Sequence, residues 1–128
     1  MSYTNLMSKA HSTIESFGYA FDGIKTAFRK EPNFRIHSSV GVAAIILAGV
    51  LGFNSYEWII LVFTIFLVLV LELINTSLET LVDLVSPEIS EKAKVAKDVS
   101  AAAVFLTTTF AALVGVFLFL PKILKLVI

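Results

Sequence analysis

The sequence predicts an all-α membrane protein, with an N-terminal amphipathic surface helix followed by three transmembrane helices. Three observations carry that prediction. The 128 residues are 57% hydrophobic with a mean hydropathy of +0.88, far outside the range of soluble domains. Runs of membrane-spanning length recur, one of them holding WIILVFTIFLVLVL from Trp58 onward. After Arg35 the only strongly polar stretch is SPEISEKAKVAKD. The length leaves room for one domain, so residues 1–128 are read as a single membrane unit.

Residues 1–32 form the expected surface helix. Ile14, Phe17, Phe21, Ile24 and Phe28 recur at spacings of three and four, with Glu15, Asp22, Lys25, Arg29 and Lys30 between them. That pattern suits a helix lying in the membrane interface with its basic face toward lipid phosphates. No apolar core of the signal-peptide kind occurs there, so no cleaved leader is expected. Pro32 marks a break or a fresh helix start. The first span is expected over 34–52, where Gly41, Ala43, Ala44, Ala48, Gly49 and Gly52 offer a surface for close helix contact. The link FNSYE follows, then a second span over 57–85. Ser86-Pro87-Glu88 reads as a helix stop and restart, with Ser90 able to cap a short helix. The third span is expected over 99–120, before Pro121 and Lys122. Its Thr107, Thr108 and Thr109 can be absorbed by backbone bonding.

Topology follows from basic residues in the flanks. Five lie before the first span or at its very start (Lys9, Lys25, Arg29, Lys30, Arg35) and three lie in the 86–98 loop (Lys92, Lys94, Lys97). The first link has none and the tail has Lys122 and Lys125. The imbalance places the N-terminus and the 86–98 loop in the cytoplasm and the C-terminus outside. Formal net charge is zero, so no nucleic acid or other acidic polymer is implied as partner. With no cysteine, disulfides and thiolate metal sites are excluded.

The functional signal is ELINTSLETLVD, Glu72 to Asp83. At roughly 100° per residue, Asn75, Thr76, Glu79 and Asp83 fall at about −60°, +40°, −20° and +20° from Glu72. Three carboxylates and two polar groups thus share one stripe of an otherwise apolar helix. An ionisable group at membrane depth costs ~2.5–3.5 kcal/mol on insertion scales, so the stripe calls for partners. Snorkelling would account for Asp83 but not for Glu72, nearly three turns deeper.

Carboxylates, an amide and a nearby lysine at a membrane boundary suit Mg²⁺ and polyphosphate, since magnesium takes one or two carboxylates plus phosphates and waters. Glu72 and Glu79 stand about 10 Å apart along the helix, too far to share one ion. The shallower can hold metal and the deeper can act as general base for a hydroxyl buried in lipid. Lys97 and Asp98 offer a cation to phosphate and an acceptor to a nucleotide, or else are plain flanking charges. No G-x-x-x-x-G-K-[ST] loop, kinase Gly-rich loop or H-R-D motif occurs, so nucleotide must be held by side chains and metal.

ELINTSLETLVD followed by AKDVSAAAV resembles the prokaryotic diacylglycerol kinase family, as does the N-terminal block GYAFDGIKTAFRKEPNFRIH. The likeness covers roughly residues 16–120. It implies a lipid kinase with three spans, acting as a homotrimer with sites between subunits. A modest independent support is that three spans do not easily enclose five polar groups. The resemblance makes Glu72 the base that deprotonates the lipid hydroxyl, Glu31 and Glu79 the Mg²⁺ ligands, and Asn75 a residue orienting the site. It makes Lys97, Asp98, Glu88 and Tyr19 ATP contacts, and Glu72 and Arg35 the residues that meet the lipid. Ser12 and Phe21 depart from enterobacterial relatives, which place a basic residue and a tryptophan there, so those contacts do not transfer. FRIH, YEWIILV and GVFLFLPKI are more similar to the Gram-positive undecaprenol kinase branch, which implies undecaprenol as acceptor with diacylglycerol as the alternative. The implied location is the bacterial plasma membrane. A small ion or proton carrier, or a membrane adaptor using the small-residue face of the first span, are the competing classes.

Overall fold

The computed structural model describes residues 13–88 and 90–128. Lys9 and Ser12, which enter the readings above, lie outside the described residues, as does the first part of the 1–32 segment. Within them the chain is four α-helices: α1 (Thr13–Lys30), α2 (Pro32–Val50), α3 (Ser55–Val85) and α4 (Glu91–Val127). The last three are long and apolar enough to cross a membrane.

α1 is amphipathic, and Ile14, Phe17, Phe21, Ile24 and Phe28 all stay exposed on the single chain. Only Ala27 is buried, where the helix meets its neighbours. A single residue, Glu31, separates α1 from α2. Pro32 occupies the first turn of α2, where its missing N–H would have had no partner anyway. The corner is closed by Arg35, whose Nη1 donates to the carbonyls of Phe28 (3.1 Å) and Arg29 (2.9 Å) at the end of α1. A helix C-terminus leaves such carbonyls unpaired, and a cation there also complements the helix dipole.

α2 ends two residues earlier than expected, at Val50. Gly52 adopts φ 65°, Phe53 N–H donates to Ala48 O (3.1 Å) and Gly52 N–H to Gly49 O (3.3 Å). This is a Schellman cap, which favours glycine at its left-handed position. α3 starts earlier than expected, at Ser55, because Asn54 and Glu57 form a capping box. Asn54 Oδ1 accepts from the N–H groups of Tyr56 and Glu57, and Glu57 Oε2 accepts from Asn54 N–H at 2.7 Å. The link is therefore 51–54 rather than 53–57.

The small-residue face of α2 is only partly used. Gly41, Ala44 and Ala48 face α3, and a Cβ on Gly41 would stand 3.0 Å from Ile65 Cγ2. Gly49 has nothing within 4 Å of an added Cβ, so it belongs to the outer surface. Ala48, Phe53 and Leu61 form the buried cluster, flanked by Trp58, Leu118 and Phe119. Most other large apolar side chains are exposed, as a chain solvated by hydrocarbon requires.

α4 corrects two expectations. Ser90 does cap a helix, its Oγ accepting from Ala93 N–H at 3.1 Å, but that helix is α4 itself rather than a short separate one. The helix also runs through Pro121, forgoing the one bond that proline cannot donate. At ~1.5 Å per residue, the 31 residues of α3 and 37 of α4 exceed the ~30 Å hydrocarbon thickness. Thr107, Thr108 and Thr109 each donate to a backbone carbonyl of Ala103 or Phe105, at 2.8–3.0 Å.

Candidate functional site

The polar stripe of α3 lies where α2 and α4 pack on it, near the α1–α2 corner. Glu72 is its deepest member and is 2% exposed. Its Oε1 receives no hydrogen bond among the described residues. His37 of α2 stands 3.2 Å away through Nε2, close enough for charge attraction but not aligned as a hydrogen-bond donor. Burying a charge without donors is costly, so an open oxygen here points to a ligand. Glu31 and Glu79 are the carboxylates whose charge reaches Glu72.

Glu31 occupies the N-cap position of α2, yet its side chain makes no cap hydrogen bond. Glutamate is not among the side chains that ordinarily cap a helix, so the carboxylate takes no local role at this position. Glu79 is partly buried and takes Asn75 Nδ2–H on Oε1 at 3.1 Å. Asn75 in turn accepts Ser100 Oγ–H from α4 at 2.7 Å. One turn further out, Asp83 pairs with Lys97 of α4 at 2.5 Å. The two links fix α4 in register along the stripe. Thr76 is not part of the site chemistry, because its hydroxyl donates back to the Glu72 carbonyl at 3.0 Å.

The stripe therefore brings together Glu31, Glu72, Asn75, Glu79 and Lys97. Asp98 is exposed and bonded to Lys94 one turn earlier on α4. Glu88 is exposed in the α3–α4 loop and Tyr19 is exposed on α1. Arg35 sits at the α1–α2 corner with Nη1 engaged by the end of α1. Two polar partners escaped the sequence reading, His37 and Ser100. His37 had a faint signal, an imidazole at the head of an apolar span. Ser100 had less, since a serine at a helix start needs no explanation.

Among the described residues, no group of three or more His, Asp or Glu side chains is gathered tightly enough to hold a metal by itself. The donor set is nevertheless carboxylate oxygen, which fits a hard divalent cation completed by phosphate and water. Side chains and cation together are what phosphoryl transfer needs where no glycine-rich phosphate loop exists.

The profile of the prokaryotic diacylglycerol kinase family matches residues 18–119, which contain every residue just named. The chain belongs to the prokaryotic diacylglycerol kinase family. It is 42% identical over 125 residues to a diacylglycerol kinase of Synechocystis, covering 97% of this chain and 71% of that protein. It is 35% identical to an undecaprenol kinase of Bacillus subtilis, over 85% of this chain and 89% of the relative. A diacylglycerol kinase of Haemophilus influenzae is 37% identical over 73% of this chain and 79% of its own length. The protein is thus an enzyme, a lipid kinase of the family that the α3 stripe resembles, and a multi-pass membrane protein. Phosphoryl transfer from ATP comes with the family, and the carrier and adaptor readings fall away.

Proposed function

We propose that the α3 stripe transfers the γ-phosphoryl group of MgATP to the primary hydroxyl of a membrane lipid. The observation that carries the reading is the buried Glu72, whose Oε1 lacks a hydrogen-bond donor. A lipid hydroxyl entering from the bilayer would donate to that oxygen, and Glu72 takes its proton as the O–P bond forms. The γ-phosphorus–oxygen bond to ADP breaks in line, so no phospho-enzyme is needed. Glu31 and Glu79 would hold Mg²⁺, which when bound offsets phosphate charge. Asn75 orients Glu79, and Lys97, freed from Asp83, faces the nucleotide phosphates. Asp98, Glu88 and Tyr19 complete the nucleotide contacts, and Arg35 holds the corner beside the entering lipid.

Residues 1–128 act as one membrane unit, with α1 at the cytoplasmic surface, the N-terminus inside and the C-terminus outside. The eight basic residues before or at the start of the first span and in the 86–98 loop, against two in the tail, support that orientation. A homotrimer is the assembly we infer, because three spans leave the stripe open on one side.

Undecaprenol is the first acceptor, on FRIH, YEWIILV and GVFLFLPKI. Diacylglycerol is the second reading, favoured by the 42% identity to a diacylglycerol kinase. Both present one primary hydroxyl ahead of apolar chains. Purified protein in lipid nanodiscs, given MgATP labelled in the γ-phosphate and each lipid in turn, decides between them. Label is expected in undecaprenyl phosphate at the higher kcat/KM. A preference for diacylglycerol reverses the acceptor assignment, and no transfer to either lipid overturns the kinase site.

A further inference from the structure

Ser100 is a buried polar residue, 8% exposed, on a face of α4 that meets α3. Its hydroxyl donates to Asn75 Oδ1, 25 residues away in sequence and 2.7 Å away in space. The other end of the same amide donates to Glu79 Oε1 at 3.1 Å. An ionised carboxylate only accepts hydrogen bonds, so Asn75 must turn its NH₂ toward Glu79. That choice sends the amide oxygen toward α4, where it needs a donor. Val99 and Ala101, the neighbours of Ser100, carry no side-chain donor. The hydroxyl of Ser100 supplies it, and so satisfies the amide in the one orientation that the carboxylate allows.

We propose that Ser100 is a positioning residue for Glu79, acting through Asn75 to set the carboxylate that receives the divalent cation. This rests on the reading of Glu79 as a cation ligand. The chain Ser100–Asn75–Glu79 joins the two helices of the site one turn from the Asp83–Lys97 pair. The cation affinity therefore depends on the register of α4, although α4 contributes no carboxylate to the metal. Groups that orient a metal ligand from behind typically change affinity or activity by 10–100-fold when removed.

The test uses the full chain in nanodiscs, with Mn²⁺ as the probe and a non-hydrolysable ATP analogue present. Free Mn²⁺ is read by electron paramagnetic resonance, and Mg²⁺ half-saturation of turnover is measured beside it. Ser100→Ala is expected to weaken Mn²⁺ binding about tenfold and to raise the Mg²⁺ requirement in parallel, with the KM for lipid unchanged. Ser100→Thr keeps the hydroxyl and restores binding. Adding Ser100→Ala to Asn75→Ala is expected to do nothing further, because the route through the amide is already cut. Glu79→Gln, run alongside, separates the two levels of failure. If Glu79→Gln binds Mn²⁺ normally, the ligand assignment and the role of Ser100 both fall. If Glu79→Gln loses Mn²⁺ while Ser100→Ala binds like the parent, or the double variant is worse than Asn75→Ala alone, only the role of Ser100 falls. A Ser100→Ala defect confined to the lipid KM equally overturns it.

Discussion

Two of the three glutamates of α3, Glu57 and Glu72, are treated in opposite ways. Glu57, near the α2–α3 turn, is partnered within the chain. Its Oε2 accepts from Asn54 N–H at 2.7 Å and meets Lys122 Nζ at 2.9 Å. Lys122 also donates to Gly52 O at 3.2 Å and lies 5.6 Å from the centre of the Phe53 ring. Glu72, nearer the middle of the helix, has an oxygen that receives no hydrogen bond among the described residues, with His37 Nε2 beside it at 3.2 Å. Glu72 is much the more buried of the two, yet it is Glu57 whose hydrogen bonding the fold supplies. A charge that exists to hold helices together is given its partners within the chain. On the proposed role of Glu72, a charge that meets a ligand is left without a donor by the fold, and neighbouring packing carries its burial.

The largest expected effect separates those two glutamates. Glu72→Gln keeps shape and burial but cannot take a proton, so turnover should fall by about 10²–10⁴-fold while the fold persists. Glu57→Gln should leave turnover unchanged and lower the thermal midpoint, because it breaks the ion pair with Lys122 while its amide oxygen can still serve Asn54 N–H in the capping box. Labelled phosphate transfer and a thermal melt on each variant are sufficient. If Glu57→Gln lost activity as deeply as Glu72→Gln, the division between a closed and an open end would be wrong.

A smaller contrast concerns two lysines of α4. Lys97 pairs with Asp83 near the loop end, and Lys122 pairs with Glu57 at the other. Lys97 is the more exposed, so its pair is worth little to stability and Lys97→Met should melt like the parent. On its proposed role as the cation that meets the nucleotide phosphates, its loss should raise the KM for ATP and lower kcat. Lys122→Met should do the reverse, lowering the melting temperature with the kinetic constants intact. Equal kinetic losses in both variants would remove the case for Lys97 as a nucleotide contact.

Much of this arrangement was legible in the sequence, and the omissions share one cause. The spans and the α3 stripe were legible because helical periodicity is a local property, and five polar groups on one face break it visibly. Helix ends shifted by a few residues wherever a cap decided them, as at Asn54 and Gly52. Glu31 came only from a family resemblance, since an acidic residue beside Lys30 looks like ordinary solvated surface. His37 and Ser100 were not found at all. Each matters through a partner on another helix, 35 and 25 residues away in sequence, and a single chain pattern does not pair helices. Arg35 gave a partial surprise of the same kind, its guanidinium closing the end of α1.

The smallest expected effect tests the closed end with one chemical change made twice. Gly49 and Gly52 both have nothing within 4 Å of an added Cβ, so neither alanine would clash. Gly52, however, sits at φ 65°, where a side chain costs ~1–2 kcal/mol against its own carbonyl. Gly49 has ordinary helical geometry, where alanine gains ~0.5–1 kcal/mol by losing less freedom on folding. Gly52→Ala should therefore lower the melting temperature and Gly49→Ala should raise it. Neither should move turnover, because Glu72 lies ~26 Å along α3 from Ser55. A pair of shifts with the same sign would mean that the Schellman cap does not set the α2–α3 turn. A change in turnover would mean that the closed end communicates with Glu72, since no steric contact at either glycine can account for it.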